Sequence, residues 1–547
     1  MLAGTSSDPD VERLLEGVAF LTGMVRQKLD DEFPEFIQEL AHLLFPHYLR
    51  PIPSATLLAF SPKGKLSERA TVPAGTAIAS APVDGTACLF RTCFGLDVDP
   101  LSIGAAQLVS TPGARPFLRV RIDAGDVDVS ALRNDSIRFF LGSSYTEAAN
   151  LFLLLSRHVD QITVSAQGGA ALVLDAQALS PSGFSPAQVL IPYPSHAFPG
   201  YRLLQEYFVL PEKFLFMELQ GLSRWRNRGG ARSFDIEFRL SSLPDWMPEI
   251  RADSFMLNVT PAINIFRHNA DPIQLDHKRP EYRVLPSGNN KGHYQIYSVD
   301  EVIGFEQGAS AQKVYQSFGM FRHDSSADAA TYQLQRRAAA VTSGSDLFLS
   351  IAYRPDTVPI DETLSMKITC TNGALPEGLR LGDVSRPTDS SPERLSFRNI
   401  RTPTPHLMPP ADEGLLWRLL SHLSINFLSV ATREHLCSLL QLYLFSDRSE
   451  RGSDAANQKR IDSIVDVSAM ASNRLVAGTL IRGRTVTIQC RSDGFASIGD
   501  MFLFGCVLEQ FLGCYASINS FTRCELRDTL TGETFRWPER VGQQPLI

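Results

Sequence analysis

Phe117-Leu-Arg-Val-Arg-Ile122 sets Leu118, Val120 and Ile122 in alternation with Arg119 and Arg121. Successive side chains of a strand face opposite sides, so this period of two reads as a half-buried β-strand. Thr56-Leu-Leu-Ala-Phe60 and Ser136-Ile-Arg-Phe-Phe-Leu141 carry the same β-rich content, and Pro73-Ala-Gly-Thr76, Asp84-Gly85 and Pro181-Ser-Gly183 punctuate the runs as turns. Short strands are thus expected from Pro53 to about residue 350. Helices interrupt them at Ser144 to Ser156, where Ser144 and Glu147 have capping-box spacing, and at Tyr201 to Phe208. Ser287 to Gly292 and Asp324 to Ala330 read as loops.

Both ends of the chain change character. Asp8 caps a helix with Pro9 at its first position, and Val11, Leu14, Leu15, Val18, Leu21, Val25 and Leu29 follow mostly at three- and four-residue spacing. Asp30-Asp31-Glu32 breaks this stripe, and Phe33, Phe36, Ile37, Leu40 and Leu44 start a second one that stops at Pro46. Two such short helices cannot bury their stripes on each other alone. They need the following domain or a partner chain. A Pro/Ser/Asp-rich stretch from Arg386 to Pro410 reads as a linker or extended crossing segment. Beyond it, Glu413 to about Ser429 and Thr432 to Phe445 are helical in pattern. A strand at Thr485 to Gln489, an apolar helix around Phe502 to Tyr515 and a strand pair near Thr522 to Trp537 close the chain.

The expected fold is therefore multidomain α+β: a helical N-terminal segment (1–50), β-rich domains at 51–205 and 206–385, and a C-terminal α+β domain (386–547). A length of 547 residues is too great for one core, and 44% hydrophobic with 20% charged residues is a globular composition. A net charge of -7 argues against a nucleic-acid surface. The densest basic stretch, Arg224 to Arg232 with Trp225, Arg226 and Arg228, reads as solvated loop arginines. No apolar run is long enough to insert in a membrane, and Met1 to Pro9 lacks the pattern of a signal peptide. Eight scattered cysteines with no C-x-x-C pair fit reduced thiols in a cytoplasmic protein.

Chemical signatures are few in the sequence. Walker, dinucleotide-binding, H-E-x-x-H and G-x-S-x-G motifs are absent. His268, Asp271, Asp276 and His277 could ligate a metal in principle, but their spacing matches no ligand pattern, and Asn-Ala-Asp-Pro is turn chemistry. Ser421 and His422 are adjacent on a helix and point about 100° apart, so they do not face as nucleophile and base. His42 and His47 flank a helix end, where a histidine caps carbonyls. No catalytic residue, cofactor or metal is assigned. A hydrolase whose paired carboxylates leave no local motif, or a self-assembling shell protein, is the alternative.

The blocks Asp8-Pro-Asp-Val-Glu-Arg-Leu-Leu-Glu-Gly17, Phe45-Pro-His-Tyr-Leu-Arg-Pro51, Val72-Pro-Ala-Gly-Thr76, Thr260-Pro-Ala-Ile-Asn-Ile-Phe266, Asp271-Pro-Ile-Gln-Leu-Asp-His277, Glu413-Gly-Leu-Leu-Trp-Arg-Leu-Leu-Ser-His-Leu-Ser424 and Arg536-Trp-Pro538 run in one order along the chain. Together they resemble TssF (VasA, ImpG), a baseplate subunit of the type VI secretion system. The resemblance departs at the front, where only Met1 to Ser7 precede the Asp8 block and the family usually has a further helical segment. It implies a fold similar to contractile-phage wedge proteins. It also implies assembly of two copies with one TssG, attachment of TssK, and a place around the VgrG spike hub beside TssE and the sheath. Such a baseplate sits at the cytoplasmic face of the inner membrane. By this analogy Val11, Leu14, Leu15, Val18, Leu21, Val25, Phe36 and Leu40 would bind partner chains.

Overall fold

The computed structural model describes residues 45, 47–64, 66, 68–194, 197–306, 312–317, 330–338, 345–352, 361–409, 432–444, 452–476, 479–516 and 520–542. Phe117–Asp123 is the strand that its alternation predicts: Leu118, Val120 and Ile122 are fully buried, while Arg119 and Arg121 face outward. Its antiparallel neighbour Ser233–Leu240 sets Glu237 opposite Arg119 and Asp235 opposite Arg121. Ion pairs of 2.8 and 2.9 Å follow from that register. Leu172–Asp175, Val159–Ala166, Ser233–Leu240, Phe117–Asp123 and Ser102–Val109 lie in that order as a five-stranded sheet.

Leu179–Ser182, Phe216–Leu219, Ile137–Leu141 and Phe255–Met256 form a four-stranded sheet. A separate eight-stranded sheet is built from strands between Phe266 and Thr371 and has its own core around Leu349, Leu364 and Ile368. The six-stranded sheet has the order Val384–Arg386, Ala77–Val83, Thr86–Thr92, Val259–Ile263, Ala55–Pro62, Leu395–Asn399.

That sheet corrects two expectations. Arg386 to Pro410 is more than a linker, because it ends one edge strand and supplies another. Leu395 and Phe397 are buried while Ser396 and Arg398 are exposed, a period of two that the surrounding Pro and Ser residues mask. Edge positions suit such a segment, since no second neighbour asks for its N–H groups. The expected domain cuts are also crossed. The cut at 205 falls inside the helix Pro199–Val209, and the cut at 385 falls inside the strand Val384–Arg386. The one near 50 separates residues that share a core, since Phe45, Tyr48, Leu49 and Ile52 are all buried in the body.

The molecule is β-rich, with five α-helices among the described residues: α1 (Tyr145–Arg157), α2 (Pro199–Val209), α3 (Arg433–Leu442), α4 (Gly452–Asp462) and α5 (Ile498–Gly513). Ser144 caps α1 by accepting from Glu147 N at 3.3 Å. The capping box is only half formed, because the Glu147 carboxylate accepts from Glu249 N instead. α5 is apolar around nearly its whole circumference and buried accordingly. It joins Thr479–Cys490 to the parallel strand Ser520–Asp528 as a βαβ crossover. Gly499 lets α5 approach α1 closely, since a Cβ there would collide with the Ala149 carbonyl and the Asn150 amide.

Candidate functional site

The eight stripe residues Val11, Leu14, Leu15, Val18, Leu21, Val25, Phe36 and Leu40 lie outside the described residues, as do His42, Ser421 and His422. The described residues that flank those positions in sequence pack into the body. Phe45, Tyr48, Leu49 and Ile52 follow the N-terminal segment directly and are buried. Ile52 exchanges backbone hydrogen bonds of 2.8 and 3.0 Å with Leu407, just before residues 410–431. His47 meets Tyr443, which follows α3 just after that stretch, through a 3.1 Å Nε2 to hydroxyl bond. His47 and Tyr443 thus belong to one aromatic seat, and Ile52 with Leu407 pairs the same stretch of chain to the residues before 410.

The seat is built by stacking. The His47 ring lies 4.5 Å from Tyr193, 5.9 Å from Tyr201 and 6.1 Å from Tyr443 between centroids, nearly parallel to each. Tyr201 in turn bonds the Tyr515 hydroxyl at 3.2 Å beyond the end of α5. Burial, with Arg50 adding to it, holds the His47 imidazole down to about 3, so the ring is neutral at ordinary pH. Nδ1 has no hydrogen-bond partner. The expected carbonyl-capping role is thus not the one His47 plays, because buried aromatic rings surround it.

Two buried charge networks stiffen the floor beneath this seat. Asp500, in the first turn of α5, accepts from the Arg460 guanidinium at 3.0 to 3.1 Å and from the Tyr145 hydroxyl at 2.7 Å. It also accepts from the Tyr207 hydroxyl at 3.3 Å and Ala496 N at 3.0 Å, so one carboxylate ties α1, α2, α4 and α5 together. Glu206 accepts from Leu190 N and Ile191 N at 2.8 and 3.0 Å and pairs with Lys213, both side chains having no exposure. Burial pulls the Lys213 ammonium down while Glu206 opposes it. Buried carboxylates bonded in this way hold elements together.

The other candidates resolve in the same way. His268 Nε2 lies 2.8 Å from the Ser287 carbonyl, Asp276 accepts from the Tyr282 hydroxyl at 2.7 Å, and Asp271 pairs with Lys291. Among the described residues no three His, Cys, Asp or Glu side chains gather as a metal site. A depression of about 650 Å³ beside His268 contains two carboxylates already engaged, Asp300 with Ser298 and Thr369, and Glu301 with Lys367. The basic stretch corrects the reading of solvated arginines at one position. Arg228 is buried and donates to the carbonyls of Trp225, Leu132, Asn134 and Leu222 and to the Asn134 side chain, clamping two stretches of chain, 132–134 and 222–225. All eight cysteines are unpaired thiols, six of them buried. Among the described residues no helix is long and apolar enough to cross a membrane.

A family model described as "Type VI secretion system, TssF" matches residues 1–544. Type VI secretion system component TssF1 of Pseudomonas aeruginosa PAO1 is 30% identical over 588 aligned positions, covering 98% of this chain and 93% of that protein. A chain in a solved type VI secretion system TssK-TssF-TssG baseplate subcomplex superposes with a TM-score of 0.79 at 30% identity, over 97% of this chain and 99% of its own length. A chain of a second solved type VI baseplate complex shares the fold at a TM-score of 0.63 and 24% identity, over 99% of this chain and 94% of its own.

Proposed function

The chain belongs to the type VI secretion system TssF family, and from that membership we propose that it works as the structural wedge subunit of the baseplate. In this reading two copies join one TssG, TssK attaches to them, and several wedges surround the VgrG spike hub beside TssE and the sheath. The assembly docks at the cytoplasmic face of the inner membrane and nucleates the sheath. The observation that carries the reading is the chain-long likeness to a subunit solved within a TssK-TssF-TssG complex.

The mechanism is mechanical. Val11, Leu14, Leu15, Val18, Leu21, Val25, Phe36 and Leu40 offer an apolar stripe to partner helices, as in phage wedges. The aromatic seat around His47 transmits force from that stripe into α2, α3 and α5. Obligate interfaces of this kind bury roughly 2,000 Å² or more with apolar centres, which leucine-rich stripes supply. No catalytic step is assigned, since the buried carboxylates are saturated by protein donors. Co-expression with TssG and TssK, followed by mass measurement of the purified complex, tests the reading. A complex with two copies per TssG is expected. A monodisperse homo-oligomer indifferent to TssG would overturn it.

A further inference from the structure

The strand Ile464–Val476 ends the strand order of the C-terminal sheet, so among the described residues no strand pairs with its outer side. Its root is covered, with Arg433 Nε donating to the Ile464 carbonyl at 2.8 Å and Val467 only 6% exposed. Beyond the root it projects. Ser468, Ala469, Met470, Ala471, Asn473 and Arg474 are exposed, so both faces stand clear, and Met470 is 72% exposed. Pairing with Thr479–Cys490 is regular from Asp466 to Val476, the one register shift falling earlier, between Ile464 and Asp466. Natural sheets blunt such an edge with lysine, proline, charge or a bulge. Val467 to Asn473 contains none of these.

What covers the edge is written in its own sequence. Antiparallel pairing centred on Met470 sets Asp466 opposite Arg474, Ser468 opposite Ser472 and Ala469 opposite Ala471, each pair occurring twice. A slip of two residues in either direction places Asp466 and Arg474 opposite uncharged residues and loses both charge pairs. Arg474 also meets Glu539, which faces Arg523 as well, and its side chain remains 52% exposed, leaving guanidinium N–H groups for a second carboxylate.

We propose that two copies of this chain join edge to edge through Ile464–Val476, antiparallel about Met470. The inference rests on the reading that one wedge holds two copies. A strand pair of this length buries far less than the roughly 1,600 Å² of a standard interface. The pairing therefore depends on the effective concentration created when both copies are held in one complex.

The test uses the full chain co-purified with TssG and TssK under mild oxidation. Met470→Cys sits opposite its own copy and should give a covalent two-copy band about tenfold above the wild-type background, since Cβ atoms come within disulfide reach only there. Ser468→Cys or Ser472→Cys alone should stay at background, and the double variant should cross-link. In the Met470→Cys chain, Asp466→Arg or Arg474→Asp should each lower the yield, and the two together should restore it. Equal cross-linking of Ser468→Cys and Met470→Cys, or no band from a complex whose mass shows two copies, overturns the pairing. Cross-linking to TssG or TssK instead also overturns it and assigns the edge to a partner strand. Failure to bind TssG at all would refute the wedge reading, and the cross-link would then be read on the chain alone at high concentration.

Discussion

His47 makes the seat acid-sensitive in a way that can be calculated. Burial pushes the folded imidazole down to about 3 from the 6.5 of a free one, so between these values the ring takes up its proton only on unfolding. Stability tied to the neutral ring is complete above about pH 6.5 and is lost as the pH falls towards 3. The linkage relation gives a loss of about 0.8 kcal/mol at pH 6 and about 2 kcal/mol at pH 5, relative to pH 8. His47→Phe keeps a stacking ring and removes this dependence. It also deprives the buried Tyr443 hydroxyl of its partner, at a cost of about 1–3 kcal/mol. The unpartnered Nδ1 adds nothing to that cost. The variant should therefore be weaker than the parent at pH 8 and draw level with it near pH 5. Hydrogen exchange of peptides covering 199–209 and 432–444, measured at both pH values under conditions of rapid reclosing, reads the difference. Parallel curves for the two proteins between pH 8 and 5 would refute the argument.

Arg460→Met leaves the Asp500 carboxylate buried without its cation and should cost about 3–5 kcal/mol. Exchange protection over 498–513 should drop by roughly two to four orders of magnitude, and a drop below tenfold would contradict the bridging role. Gly499→Ala should push α5 off α1 and cost about 1–3 kcal/mol, read as a lowered unfolding temperature. An unchanged midpoint would show that the close approach is not needed. Leu15→Asp should abolish co-purification with TssG while far- and near-UV dichroism of the β-rich body stay unchanged. Retained wedge assembly in that variant would remove the stripe from the docking surface.

Several elements were legible from local pattern because the signal and its cause are local. The alternation of Phe117 to Ile122, the Ser144 cap and the apolar run of Phe502 to Tyr515 each reflect neighbours within one strand or helix. Family membership was legible too, since it lies in ordered blocks of sequence. The domain cuts were not, because the six-stranded sheet joins residues near 60, 90, 260 and 397, and nothing local announces a partner 170 or more positions away. Leu395 to Asn399 reads as linker until the edge of that sheet is there to pair with it.

Charge shows the same division. In sequence Arg228, Arg460, Lys213, Glu206 and Asp500 are ordinary charged residues, and only the tertiary fold removes them from water and gives each its partners. The sequence by itself determined that this is a β-rich TssF-family chain with an apolar periodicity near its N-terminus, because period and motif order survive without coordinates. Only the tertiary structure decided that Phe45 to Ile52 pack into the body beside the stacked rings around His47. Only it decided that Ile464–Val476 stands at an edge, because burial and strand order depend on contacts between residues far apart in the chain.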